Sequence, residues 1–93
     1  MSGMDISITQ TAPKGILGDF DSKSNTIRLK RRMKAQVKAS TLLHESLHAM
    51  FEISGLSHKM EEDLEEEIIR QLESHIFQFI KDNPEVVRYI QET

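Results

Sequence analysis

The sequence predicts an α+β fold: a short N-terminal antiparallel sheet of two or three strands, two packed helices, and a short C-terminal helix. Three observations carry that reading. Apolar residues alternate with polar ones as far as Lys30, the spacing becomes helical from about Met33, and glycine and proline punctuate the helical part at Gly55 and Pro84.

The elements follow in order. Ile6 and Ile8 alternate with polar neighbours, and Pro13 and Gly15 then interrupt the chain. Ile16, Gly18 and Phe20 alternate again before the polar stretch Asp21 to Asn25, after which Ile27 and Leu29 resume the pattern. Leu17 to Asp21 and Thr26 to Lys30 therefore read as a hairpin with Ser24-Asn25 near its turn.

Val37, Leu43, Leu47 and Met50 mark one face of a helix that starts between Met33 and Ser40 and stops at Gly55, a natural left-handed cap. A second helix is expected from about Ser57 to Asp82, with Leu64, Ile68, Ile69, Leu72, Ile76, Phe79 and Ile80 as its apolar stripe. Acids crowd its first turns, where the positive end of the helix dipole favours them. Pro84 suits the first position of a terminal helix through Val87 and Ile90. Phe20, Phe51, Phe77 and Phe79 read as core.

Ninety-three residues make one small domain, 1–93, with room for one site. Cysteine is absent, so any metal must be held by histidine, carboxylate, carbonyl or water. Met1 to Thr11 lacks the pattern of a signal peptide and Ile76 to Ile80 is too short to span a bilayer, so a cytoplasmic protein without membrane attachment is expected. The net charge of -3 hides a segregation of signs. Lys23, Arg28, Lys30, Arg31, Arg32, Lys34 and Lys38 come early, and Glu61 to Glu67 late. No aromatic side chain interleaves the basic run, which argues against nucleic acid and for a solvated hairpin end and first helical turn.

The chemistry lies in His44-Glu45-Ser46-Leu47-His48, an HExxH string. Two histidines four apart share a helix face, and their rings can converge on one ion. Glu45, one step round the helix, is placed to take a proton from metal-bound water as a general base. Shuffling a chain with 4 His gives roughly 0.02 chance matches, so the string alone is suggestive, and its place on a predicted helix beside Leu43 and Leu47 adds the weight.

The longer HExxHxxGxxH pattern is excluded, because Phe51 and Ser54 stand where it needs glycine and histidine. The third ligand is then sought among Glu61, Glu62, Glu65, Glu66 and Glu67 of the next helix, and a helical wheel puts Glu65 nearest the apolar axis. His58 and His75 are rivals for that position or for stabilising an oxyanion, and Tyr89 is the single tyrosine for the latter role.

Leu42 to Met50, Gly55-Leu56, Glu66 to Ile69 and Phe77 to Pro84 together resemble a family of small phage and prophage proteins, similar to minimal gluzincins of the ImmA/IrrE metallopeptidase kind. The hairpin from Gly18 to Leu29 is similar to the short sheet before their metal helix. The resemblance implies one zinc per chain held by His44, His48 and Glu66, with Glu45 as general base in peptide-bond hydrolysis. It implies a peptide or protein substrate, such as a regulatory protein. The chain departs from the pattern in carrying Leu47 where such enzymes usually have glycine, and in being shorter. The alternative expectation is a non-catalytic, zinc-stabilised binding or regulatory module.

Overall fold

Asp21 founds the sheet by turning the chain. Its carboxylate accepts hydrogen bonds from the Lys23 N–H at 3.0 Å and the Ser24 hydroxyl at 3.1 Å, and Asn25 completes the turn in the left-handed region at φ 51°. In the computed structural model, which describes residues 5–93, this turn joins β2 (Gly18–Asp21) to β3 (Thr26–Leu29) as an antiparallel pair, with Phe20 opposite Ile27 and Gly18 opposite Leu29. Of the N-terminal stretch Met1 to Thr11, the first four residues lie outside those described.

β1 (Ser7–Thr9) adds to the other edge of β3, and it does so in parallel. The three-stranded sheet among the described residues is therefore mixed, in the order β1-β3-β2. A tight turn after β1 would have made it antiparallel to β2. The connection through Pro13 and Gly15, the latter at φ 95°, is long enough to carry the chain past β3 instead. The α+β class and the position of each strand agree with the expectation from the sequence, and the expected antiparallel pairing holds for β2 and β3 but not for β1, which runs parallel to β3.

α1 (Ala35–Ser54) follows and ends at Gly55, whose φ of 88° is the left-handed cap that glycine adopts freely. The second helix differs from expectation at its start. Leu56–Lys59 forms a separate 3-10 turn, Met60 is extended at φ -151°, and α2 runs from Glu62 to Asp82. α3 (Pro84–Glu92) begins on proline as expected.

The core forms where β3 and α2 meet α1. Ile27 and Leu29 of β3, Leu47 and Ala49 of α1, and Ile69 of α2 are buried. The expected apolar stripe of α2 is corrected by the structure: Leu64, Leu72, Phe79 and Ile80 are exposed, and Ile69 is buried between the inward-facing Glu65, Glu66 and Glu73. The helix is rotated so that carboxylates, not its most apolar line, meet α1. None of the four phenylalanines expected as core is fully buried: Phe20, Phe51 and Phe77 are half-buried and Phe79 is exposed.

Gly18 sets how closely β2 approaches α1. A Cβ there would stand 2.9 Å from the Thr41 Cγ2 and 2.9 Å from the Arg28 carbonyl oxygen, and the latter is backbone that cannot rotate away. Gly18→Ala should lower stability by about 1–3 kcal/mol through overpacking, and Gly55→Ala by about 1 kcal/mol through the positive φ. Urea unfolding with an unchanged m-value checks both, and a Gly18→Ala midpoint equal to the parent's would refute the close approach.

Candidate metal centre

α1 delivers His44 and His48 on one face, one turn apart, with ring centroids separated by 4.9 Å and the planes inclined at 68°. Leu47, buried between them in sequence, holds that face against the core. α2 meets them with carboxylates. The His44 Nδ1 is bound to Glu73, whose other oxygen lies 3.5 Å from the Ser40 hydroxyl, and the His48 Nδ1 lies 2.8 Å from Glu65.

An ionised carboxylate only accepts, so the outer contacts favour a proton on each Nδ1, which leaves each Nε2 able to offer a lone pair inward to a metal; without a metal, the contacts of Nε2 with Glu66 call for a proton there instead. There the two Nε2 atoms are 3.2 Å apart, and Glu66 reaches both, at 3.2 Å from His44 and 2.9 Å from His48. His44, His48 and Glu66 each offer one ligand atom, all within 4.8 Å of one another, and together could hold a metal ion. So close a set calls for positive charge among its members, supplied by a metal ion or by protons on the rings. Glu66 is itself held by Arg70, whose Nε donates to it at 3.0 Å.

The electrostatics reflect the same demand for positive charge. Burial opposes charge on His48, but Glu65, Glu45 and Glu66 outweigh it and raise the imidazole above its usual value of 6.5. Burial likewise pushes the Glu66 carboxyl up, and His44, His48 and Arg70 overcome it to leave the carboxyl below its usual 4.5. Glu45 moves the other way. Its burial raises it, with Asp19 and Glu66 adding to the rise against the pull of His48 and His44.

A cleft of about 650 Å³ opens on the His44 side of the cluster. Ile16, Leu17 and Gly18 form one wall, and Thr41, Glu45, Glu66 and Arg70 line the rest. On the His48 side, Glu52, Glu62 and Asp63 line a second hollow with His58.

The structure thus brings His44, His48 and Glu66 together and places Glu45 at the cleft beside them. Glu65, preferred by the helical wheel, contacts the outer nitrogen of His48, and Glu61 and Glu67 are exposed. The rivals are elsewhere. His58 is 74% exposed beside Glu52 at 3.7 Å, His75 bonds the Gln71 carbonyl at 2.9 Å, and Tyr89 on α3 is 74% exposed. Sequence reasoning missed Glu73 and Arg70. The available signal was spacing: Glu73 is two helical turns beyond Glu66 and so shares its face.

Comparisons with protein-family models, with curated proteins and with solved structures return no match for this chain. No helix among the described residues is long and apolar enough to cross a membrane.

Glu65→Gln and Glu73→Gln should each weaken metal binding by roughly 10–100-fold while leaving one site per chain, as isothermal titration of metal into the apoprotein would show. Metal-free protein should also show a pH window. The raised His48 stabilises the fold below about pH 6.5 and loses that contribution as pH rises through its folded pKa. The lowered Glu66 stabilises above about pH 4.5 and loses its contribution as pH falls through its own. The thermal midpoint of the apoprotein should therefore peak between these values, and a midpoint that is flat from pH 4 to 8 would contradict the pairing.

Proposed function

We propose that the protein is a zinc-dependent hydrolase of peptide bonds, with His44, His48 and Glu66 as zinc ligands and Glu45 as general base. The observation that carries this reading is the inward set of two Nε2 atoms and one carboxylate, with the half-buried carboxylate of Glu45 beside it at an open cleft. Two imidazoles and one glutamate form a donor set that zinc takes in hydrolases, leaving a position open for chemistry. A tetrahedral ion with bonds of about 2.0–2.1 Å needs donors about 3.3 Å apart. The two Nε2 atoms stand 3.2 Å apart, close to that, and Glu66 brings Oε2 to 3.2 Å from His44 and Oε1 to 2.9 Å from His48, within the 4.8 Å that encloses the set.

Zinc held by these residues would polarise the scissile carbonyl and make water more acidic. Glu45 then takes the proton of the attacking water and passes it to the leaving amine. Its half-burial beside the cleft keeps it poorly hydrated, which favours a carboxylate that accepts a proton readily. β2 is the sheet edge beside the cleft, and Gly18 lines it. An extended peptide can add there as a further strand, with an apolar side chain against Ile16 and Leu17. A regulatory protein with an accessible extended segment would suit such a groove.

Elemental analysis of purified protein should find about one zinc per chain, lost in His44→Ala and in Glu66→Ala. Glu45→Gln should keep that zinc while lowering kcat on a fluorogenic peptide library by about 10²–10⁴-fold. If Glu45→Gln is silent in a zinc-loaded protein, the site is a structural staple for a binding or regulatory module. Absence of zinc after reconstitution would refute both readings.

A further inference from the structure

Peptide hydrolysis places negative charge on the former carbonyl oxygen, and a hydrolase needs a donor aimed at that oxygen. The candidates suggested by sequence do not line the cleft: His58 faces Glu52, His75 bonds its own helix, and Tyr89 stands exposed on α3. Arg70 does line it, and it is the one lysine or arginine to do so among the described residues.

We infer that Arg70 is the cationic donor of this cleft, binding the anionic oxygen that forms on the substrate carbonyl; the inference rests on the hydrolase reading above. Its position follows from α2, which sets Arg70 one turn beyond the ligand Glu66. One of its five N–H donors is used, from Nε to the Glu66 Oε2 at 3.0 Å. Neither terminal nitrogen makes a hydrogen bond among the described residues.

The guanidinium is thus anchored beside the cluster with its remaining donors uncommitted. With a side chain 73% exposed and an i,i+4 partner as its only tether, it can swing toward a bound group at little cost. The facing wall of Ile16, Leu17 and Gly18 brings no competing side-chain charge. Glu73, the other acid lining the cleft besides Glu45 and Glu66, is held by His44 and so does not draw Arg70 away.

The test uses the zinc-loaded full chain and three probes. Acetohydroxamic acid anchors on zinc alone, and an end-blocked phosphinic leucyl-alanine analogue adds a tetrahedral anion at the scissile position. The third is the same phosphinate with a free terminal carboxylate. Affinities are read by isothermal titration calorimetry for the parent, Arg70→Gln and Arg70→Lys, with zinc content measured on each.

Arg70→Gln should retain zinc and bind acetohydroxamic acid within about two-fold, but lose roughly 10–100-fold on the end-blocked phosphinate, with Arg70→Lys between the two. Unchanged phosphinate affinity in both variants would overturn the assignment. Loss confined to the free-carboxylate probe would overturn it as well and move Arg70 to the substrate terminus. Loss of zinc in both variants would show that Arg70 merely holds Glu66. If neither acetohydroxamic acid nor the phosphinates bind the zinc-loaded parent, the hydrolase reading itself fails and Arg70 loses its role with it.

Discussion

An imidazole ring has two nitrogens, and the fold of this protein is organised around dividing them. Each histidine of α1 gives Nδ1 to a carboxylate of α2 and turns Nε2 toward its neighbour. Neither half of that arrangement stands without the other. Removing Glu65 or Glu73 would free the rings to rotate, and removing Glu66 would leave the two Nε2 atoms facing each other without the carboxylate they share. The helix pair is therefore held in register by polar contacts at a place where most small domains put leucines. Ile69, buried between Glu65, Glu66 and Glu73 in sequence, provides the apolar packing that seats those carboxylates.

The same requirement explains the surface. A helix can turn only one line toward its neighbour, and α2 turns the line that bears Glu65, Glu66, Ile69 and Glu73. Leu64, Leu72 and Phe79 are then carried outward, 42–49% exposed. Apolar moment alone misdirects here, because it assumes that burial of hydrocarbon decides the rotation. Four specific polar contacts outweigh it, since each would otherwise leave a half-buried charge or ring nitrogen without a partner.

What was legible in the sequence was what local chemistry decides. Ser24-Asn25 at a turn, Gly55 as a left-handed cap, Pro84 at a helix start and two histidines four apart each depend on a few neighbouring residues. The parallel direction of β1, the break at Met60 and the part played by Glu73 depend on which element lies alongside, and no window of sequence contains that. Glu66 was named as third ligand from a resemblance and not from the pattern, which pointed to Glu65; both acids proved to touch His48, at opposite nitrogens. One residue's difference in sequence is 100° round the helix, enough to separate inner from outer contact.

The two helices of the centre are consecutive in the chain, joined only through Gly55, the Leu56–Lys59 turn and two further residues. Its contacts span 17, 18 and 29 residues. Closing such loops forfeits little chain entropy, and the sheet is no less local: β1 meets β3 with Ser7 beside Thr26, and the β2–β3 hairpin closes with Asp21 beside Thr26. In kinetic terms neither the centre nor the sheet waits on a partner distant in the chain. During synthesis the β2–β3 hairpin both leaves the ribosome first and has the shorter search to make, so the wall of the cleft can form before α2 arrives to complete the centre.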